Sequence, residues 1–481
     1  MTLATFALIM ALALGLGVAS RRGVKKVDME DYLVAGRSFG AILLFVLAVG
    51  EVYSIGTIVG FPGGIYAQGA SYGIWFMGYI LLAYPIGYFL LPLMWRAGQR
   101  YGATTFPDVF RAHFGSRGLE LVTALASVVF LIPWGQLQLT GLQVVFGALD
   151  LPISPNAAAV LGSGIAFGFI LLSGVRAPAF VSLVKDTVLI VAAILVGAAA
   201  VIAASGIGEL FESARVDPVA VTMQGEALTF AITTIAFQAL AFYMFPFFAL
   251  AIFTGKSERT VKRTQTFMPI YMVMYPFLVF ASFYALATLP GLEGPAANTA
   301  FMAVAQDLLP DWALGVVAAA AALSAIVVLT VASLVIGALV SRNVTRGLSE
   351  GGQRRTVQVV VLAYLAVSLL LTLATPTLML TIVNTAYYGI GQFLPGMLIV
   401  LFGGRVRPAA IAVGIVVADV LAVALYLLDV TAGGVNLGLI ALGVNCLILL
   451  VTRLVWPAAD APDPIARMGA APARRAPEPA T

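Results

Sequence analysis

Charge is scarce in this chain. Of its 481 residues only 10% are charged, while 61% are hydrophobic and the mean hydropathy is +1.03. Soluble chains carry roughly 25% charged residues. No water-soluble core hides this much apolar side chain, which excludes a soluble globular enzyme, a disordered protein and a nucleic-acid binder. There is one cysteine, Cys446, so no disulfide framework exists. There is one histidine, His113, so a zinc cluster or a histidine-based triad has too few parts, and with them goes the enzyme reading. The tail after Trp456 is too short for an appended sensor domain, and its Ala, Pro and Arg content predicts disorder. The net charge of +4 sits mostly in short loops, where it sets orientation in a membrane instead of attracting nucleic acid.

What the chain has in abundance is long apolar runs. A spanning helix needs about 20 apolar residues. Thirteen stretches qualify, near 2–20, 39–66, 70–95, 118–147, 157–174, 178–204, 227–252, 266–290, 312–341, 356–375, 378–402, 407–428 and 434–455. The first has no Lys or Arg before Arg21, unlike a signal peptide, and is expected to be a retained anchor. With the N-terminus outside, cytoplasmic loops hold Arg21, Arg22, Lys25, Lys26 and Arg37, then Arg96, Arg100, Arg111 and Arg117, then Arg176. They continue with Lys256, Arg259, Lys262 and Arg263, then Arg342, Arg346, Arg354 and Arg355, then Arg405 and Arg407. The opposite loops hold Arg215 alone, which predicts an N-out, C-in protein.

Two stretches are interrupted, five helices apart. The second carries Gly50, Gly56, Gly60 and Pro62 around the polar Glu51, Tyr53, Ser54 and Thr57; the seventh carries Gln238, Tyr243 and Pro246. Transporters built from inverted repeats place their substrate between such broken helices at the membrane midplane. Glu51 lies near the middle of an apolar run, where an ionised carboxylate is expensive and usually functional. Lys185 and Asp186 are a second intramembrane charge site. Neighbours on a helix point in different directions, so the two need not pair, and Lys185 has the reach to snorkel to the surface. Asp419 bears the same cost but lies outside the broken pair and reads as structural. Gln136, Gln138, Asn384 and Gln392 are amides that join helices or face a ligand, and Asn445 reads as packing.

Several sequence pieces, in order, resemble the sodium/solute symporter family. They are Asp31 to Ser38 (DYLVAGRS), Gly60-Phe61-Pro62-Gly63 with Tyr66 and Gly69, Thr105 to Arg111 (TFPDVFR) with Phe114-Gly115, and Ser173 to Pro178 (SGVRAP). Gly50 to Tyr53 (GEVY), Leu137 to Val145 (LQLTGLQVV), Val184-Lys185-Asp186 and Ser341-Arg342-Asn343 are similar to the bacterial monocarboxylate permeases, which carry pyruvate, lactate, related short acids and alanine. The resemblance implies an all-α polytopic membrane protein of thirteen helices, with a LeuT-like five-plus-five inverted repeat after an extra N-terminal helix. Its parts would be 1–38, a first repeat 39–204, a second repeat 227–402, two further helices in 407–455 and the tail 456–481. It implies cation-coupled symport of a short monocarboxylate in a bacterial plasma membrane, or alternatively of an amino acid such as proline, with no cofactor and no nucleic-acid partner. Oligomeric state stays open.

The expected substrate groups are Tyr53, Ser54, Thr57, Gln138, Gln238 and Tyr243. The family's sodium site uses carbonyls of the broken second helix plus a hydroxyl pair on the ninth, and counting back from Asn343 that pair falls on Val327-Val328, which cannot coordinate a hard cation. Ser324, Thr330 and Ser333 are near but out of register. Two alternatives follow: sodium in an altered site held by Glu51 and Ser324, or a proton carried by Glu51, with Asp186 as a further coupling residue.

Overall fold

A computed structural model describes residues 1–20, 29–149, 153–214, 223–345, 347–460 and 462–468. Among the described residues it is helical throughout, as a membrane demands: lipid offers the backbone no hydrogen bonds, so each spanning segment must satisfy its own. Eleven helices among the described residues are long and apolar enough to cross a membrane, where thirteen were expected. Of the other two expected stretches, 39–66 is broken into shorter pieces and 157–174 is the 19-residue helix Pro155–Ser173. The described residues of the tail, 457–460 and 462–468, expected to be disordered, pack back on the chain. Ile465 and Ala466 donate backbone bonds to Val400 (3.2 Å) and Leu401 (2.9 Å), and Ile465 is buried. Residues 469–481 lie outside the described residues, as do Arg21, Arg22, Lys25, Lys26, Arg215 and Arg346.

The centre of the bundle is the helix Asp311–Ala338, continued by a wider π-type turn Leu339–Val344. Its apolar window is 94% buried, because it is Ala, Val and Leu on every face; a helix hydrophobic all round belongs inside. The long helices Arg117–Gly147 and Arg176–Ala203 and the N-terminal helix Thr2–Ala19 surround it. On the outside, Leu, Val and Phe side chains stay exposed, such as Phe89, Leu370, Leu427 and Leu454, where lipid would cover them.

Both predicted interruptions are real. The second stretch is a helix Ala41–Val52, a bend at Tyr53-Ser54, a π-type turn Gly56–Gly60 and a second helix Phe61–Gln68. The seventh is a helix Gly225–Ala241, a tight turn Phe242–Met244, an extended Phe245 and a second helix Pro246–Phe253. The two are tied at their ends: Phe39 accepts from Lys256 (3.3 Å) and donates to the Thr254 carbonyl (3.0 Å). One expectation needs correcting. Neither proline deletes a hydrogen bond in mid-helix, since Pro62 and Pro246 both lie in the first turn of the half-helix that follows; Pro246 acts instead on Phe245, which is extended as the residue before a proline prefers.

Candidate functional site

At the first break the helix Ala41–Val52 ends with carbonyls that have no partner along the helix. Side chains serve them. Thr57 donates its hydroxyl to the Val52 carbonyl (3.3 Å), and Ser54 accepts from the Gly56 amide (3.2 Å), so two of the expected substrate residues shape the turn. Lys185 reaches across from the helix Arg176–Ala203. Its ammonium donates to the Gly50 carbonyl (3.3 Å) and the Tyr53 carbonyl (3.4 Å).

Lys185 is fully buried and does not use its reach to snorkel, and it pairs with Asp186 at 2.7 Å, although neighbours on a helix need not. The physical reason is the break itself. Open carbonyls at the negative end of a half-helix attract the ammonium inward, and a flexible four-carbon stem lets it turn back to the adjacent carboxylate. The Tyr271 hydroxyl faces the same carboxylate. Gly50 makes this approach possible: a Cβ there would sit 3.0 Å from the ammonium nitrogen. Glu51 belongs to the last turn of this helix; its side chain lies outside the described residues.

The second break is lined by rings. Trp134, Phe247 and Tyr387 surround Phe245, with centroids 5.1, 4.9 and 4.8 Å away. Tyr243 donates to Gln265 (2.9 Å), and its ring fills the space left by Gly87. One turn earlier on the same helix, the Tyr84 hydroxyl meets the Tyr53 hydroxyl, so helix Ala70–Tyr101 joins the two breaks. Tyr53 also stacks on Tyr271 at 4.9 Å. Tyr275 packs on Tyr53 (6.3 Å) and Tyr79 on Tyr387 (5.5 Å), so Tyr79, Tyr84, Tyr271, Tyr275 and Tyr387 belong to the site, although the sequence reading passed over them. The available signal was tyrosine within otherwise apolar runs.

The remaining expected residues divide. Gln138 is fully buried and donates to the Trp134 carbonyl (3.2 Å) of its own helix, leaving its Oε1 without a protein partner. Gln238 donates to Asn384 (2.6 Å) and joins the seventh stretch to the eleventh. Gln136 ties its helix to Thr375, and Asn445 donates to the Gln392 carbonyl (2.9 Å). Ser324 donates into its own helix, to the Ala320 carbonyl (2.8 Å), as Thr330 and Ser333 do to theirs. Val327 and Val328 are buried beside them, with no oxygen to offer.

One end of the bundle carries a polar knot. Asp108 accepts from the Thr104 and Thr105 amides (3.0 and 3.1 Å), from Asn343 (2.8 Å) and from Arg342 (3.2 Å). Burial pushes its carboxyl up, but Arg342 and these donors together hold it below its ordinary value. Asn343 also donates to Glu120 (3.0 Å), which is buried and pairs with Arg111 and Arg117 at 3.1 and 3.0 Å. Beside the knot is a cavity of about 350 Å³ lined by Asp108, Arg111, Glu120 and Arg342.

Broken apolar helices joined around a buried polar centre define a membrane transporter, and comparison with known proteins specifies which kind. Residues 32–416 match the sodium:solute symporter family. The chain is 24% identical over 468 residues to the uncharacterized symporter YhjB of Bacillus subtilis, covering 93% of this chain and 95% of that one. It is 28% identical over 394 residues to a monocarboxylate transport permease protein of Rhizobium johnstonii, covering 78% of each. Its fold is similar to that of a solved Na⁺-coupled sialic acid symporter, with a TM-score of 0.78 at 16% identity, over 95% of this chain and 98% of that one. The chain belongs to the sodium:solute symporter family. It is therefore a multi-pass membrane symporter and not an enzyme, and membership supports sodium as its coupling ion.

Proposed function

We propose that this protein imports a short monocarboxylate with a cation by alternating access. The observation that carries the reading is a buried donor without a protein partner beside the second break, the Trp134 indole N–H, with the Tyr275 hydroxyl facing Thr57 at the first. Tyr275 packs edge-on against Phe61 (4.9 Å) at the first break, and Trp134 against Phe245 at the second. A buried donor left unmade costs about 1–3 kcal/mol, which a carboxylate arriving beside Trp134 would recover. Among the described residues no arginine lies there, which suits a single carboxylate that must also leave, and the likeness to a monocarboxylate permease supports the same solute class. A second carboxylate would bring a charge with nothing to pair it.

In this reading residues 39–204 and 227–402 are the two repeats, 1–38 and 407–455 flank them, and the polar knot faces the cytoplasm of a bacterium with the N-terminus outside. Glu51 is the group that answers to the coupling cation. In proteoliposomes, pyruvate or lactate should compete for uptake, while proline, glucose and dicarboxylates should not. Transport of proline without competition by pyruvate would move the protein to another solute class on the same fold. Glu51→Gln should abolish concentrative uptake and keep exchange; full accumulation by this variant would remove Glu51 from coupling.

A further inference from the structure

We propose that Lys185 is a tethered cation that occupies the ion seat of the first broken helix, so that no sodium ion binds to the Gly50 and Tyr53 carbonyls. Three observations carry this. The ammonium has three N–H donors and three acceptors, Gly50 O at 3.3 Å, Tyr53 O at 3.4 Å and Asp186 at 2.7 Å, so nothing about it is left over for another role. It is completely buried, where an ammonium survives only if paired and hydrogen-bonded. The positions that the family resemblance assigns to a hydroxyl pair are Val327 and Val328, both buried, whose side chains add no oxygen ligand for a small ion.

Unwound carbonyls and half-helix C-termini are where symporters of this architecture coordinate their ions. The two carbonyls here are the same chemistry, already committed. A covalently attached cation delivers the charge without leaving, which holds the break in one geometry whether or not an ion is present. The coupling cation must then act elsewhere than on these two carbonyls, for which Glu51 in the same last turn of the helix is the group named above. The inference rests on the reading of the protein as a cation-coupled symporter, but not on which solute it carries.

The test is a count of bound sodium, made with radioactive sodium on the purified full-length protein in lipid nanodiscs. Lys185→Ala and Lys185→Ser vacate the seat, and serine leaves an oxygen ligand behind. Each should bind one more sodium ion per chain than the wild type, and each should lose thermal stability in N-methylglucamine chloride and regain it in sodium chloride. Lys185→Met fills the same space with an apolar chain and should gain no ion and no rescue. An unchanged sodium count in folded Lys185→Ala and Lys185→Ser would overturn the proposal. So would failure of both to fold in sodium, since the ammonium would then do something a small cation cannot. Because no organic solute enters the measurement, a wrong solute class leaves its outcome intact.

Discussion

The two broken helices perform the same topological duty with opposite chemistry. At the first, the open carbonyls are held by Thr57 and by an ammonium paired with a carboxylate. At the second, Phe242, Phe245, Phe247 and Phe248 pack among themselves and against Trp134 and Tyr387, with Tyr243 bonded to Gln265. One break is fixed by charge and the other by volume. The lesson is that interrupting a membrane helix does not by itself define an ion site. What matters is which groups take the freed carbonyls, and only at the first break are they groups that an ion resembles.

Isosteric changes break this comparison most sharply. Lys185→Met conserves volume but strands Asp186 and two carbonyls, and removing one partner of a buried pair costs about 3–5 kcal/mol. Phe245→Leu keeps an apolar side chain at the aromatic break but deletes ring volume against Trp134, Phe247 and Tyr387, and should cost about 1–2 kcal/mol, less than stranding a buried charge. Thermal midpoints of the two proteins in detergent check the order, and equal losses would erase the distinction between the breaks.

Function should respond more modestly than stability at the unpartnered donor. Trp134→Phe keeps a six-membered ring beside Phe245 and deletes the pyrrole half of the indole with its N–H, so half-saturation for the solute should rise about tenfold, the equivalent of one hydrogen bond, while loss of the unmet donor offsets part of the small void in the thermal midpoint. Uptake at graded solute concentrations reads this directly, and an unchanged half-saturation would place the carboxylate elsewhere. Smaller still are the backbone changes. A Cβ at Gly56 meets Leu137 and the Ser54 hydroxyl at an ordinary 3.4 Å, so Gly56→Ala should be nearly silent while Gly56→Leu lowers transport. Pro246→Ala should cost no more than about 1 kcal/mol, because alanine gains no helical hydrogen bond in a first turn.

The polar knot supplies a contrast in pH. Burial pushes the His113 imidazole down from 6.5 to about 4, so the folded protein binds that proton less readily than the unfolded chain. Its contribution to stability is therefore complete above pH 6.5 and lost as pH falls towards 4. Asp108, held below its ordinary 3.8, has its window lower: its contribution is present above that value and is lost as pH falls below it. The thermal midpoint should fall in two steps on acidification, and His113→Asn should remove the upper step alone. A single step in both proteins would show that His113 is not buried as described.

Some of this was legible in the residues themselves. The helical class and both interruptions followed from apolar runs and from where polar residues entered them. The pieces Thr105 to Arg111 and Ser341 to Asn343 stood out as motifs without a visible reason. The structure supplies it, since Asp108 and Asn343 bond to each other across 235 residues of chain. The direction of Lys185 was not legible. Periodicity placed it on a helix, but whether a long stem runs outward to the surface or inward to a gap depends on what stands opposite.

The sequence by itself determined that this protein lives in a membrane, that it is helical there and which of its helices break. Those conclusions need only the cost of burying charge and of leaving a backbone group unpaired in lipid, and both costs are paid locally. Tertiary structure alone decided which carbonyls Lys185 would take, that Tyr53 and Tyr84 would meet, and that Pro246 would start a helix instead of breaking one. Those outcomes depend on distances between segments far apart in the chain, and no local cost encodes a distance.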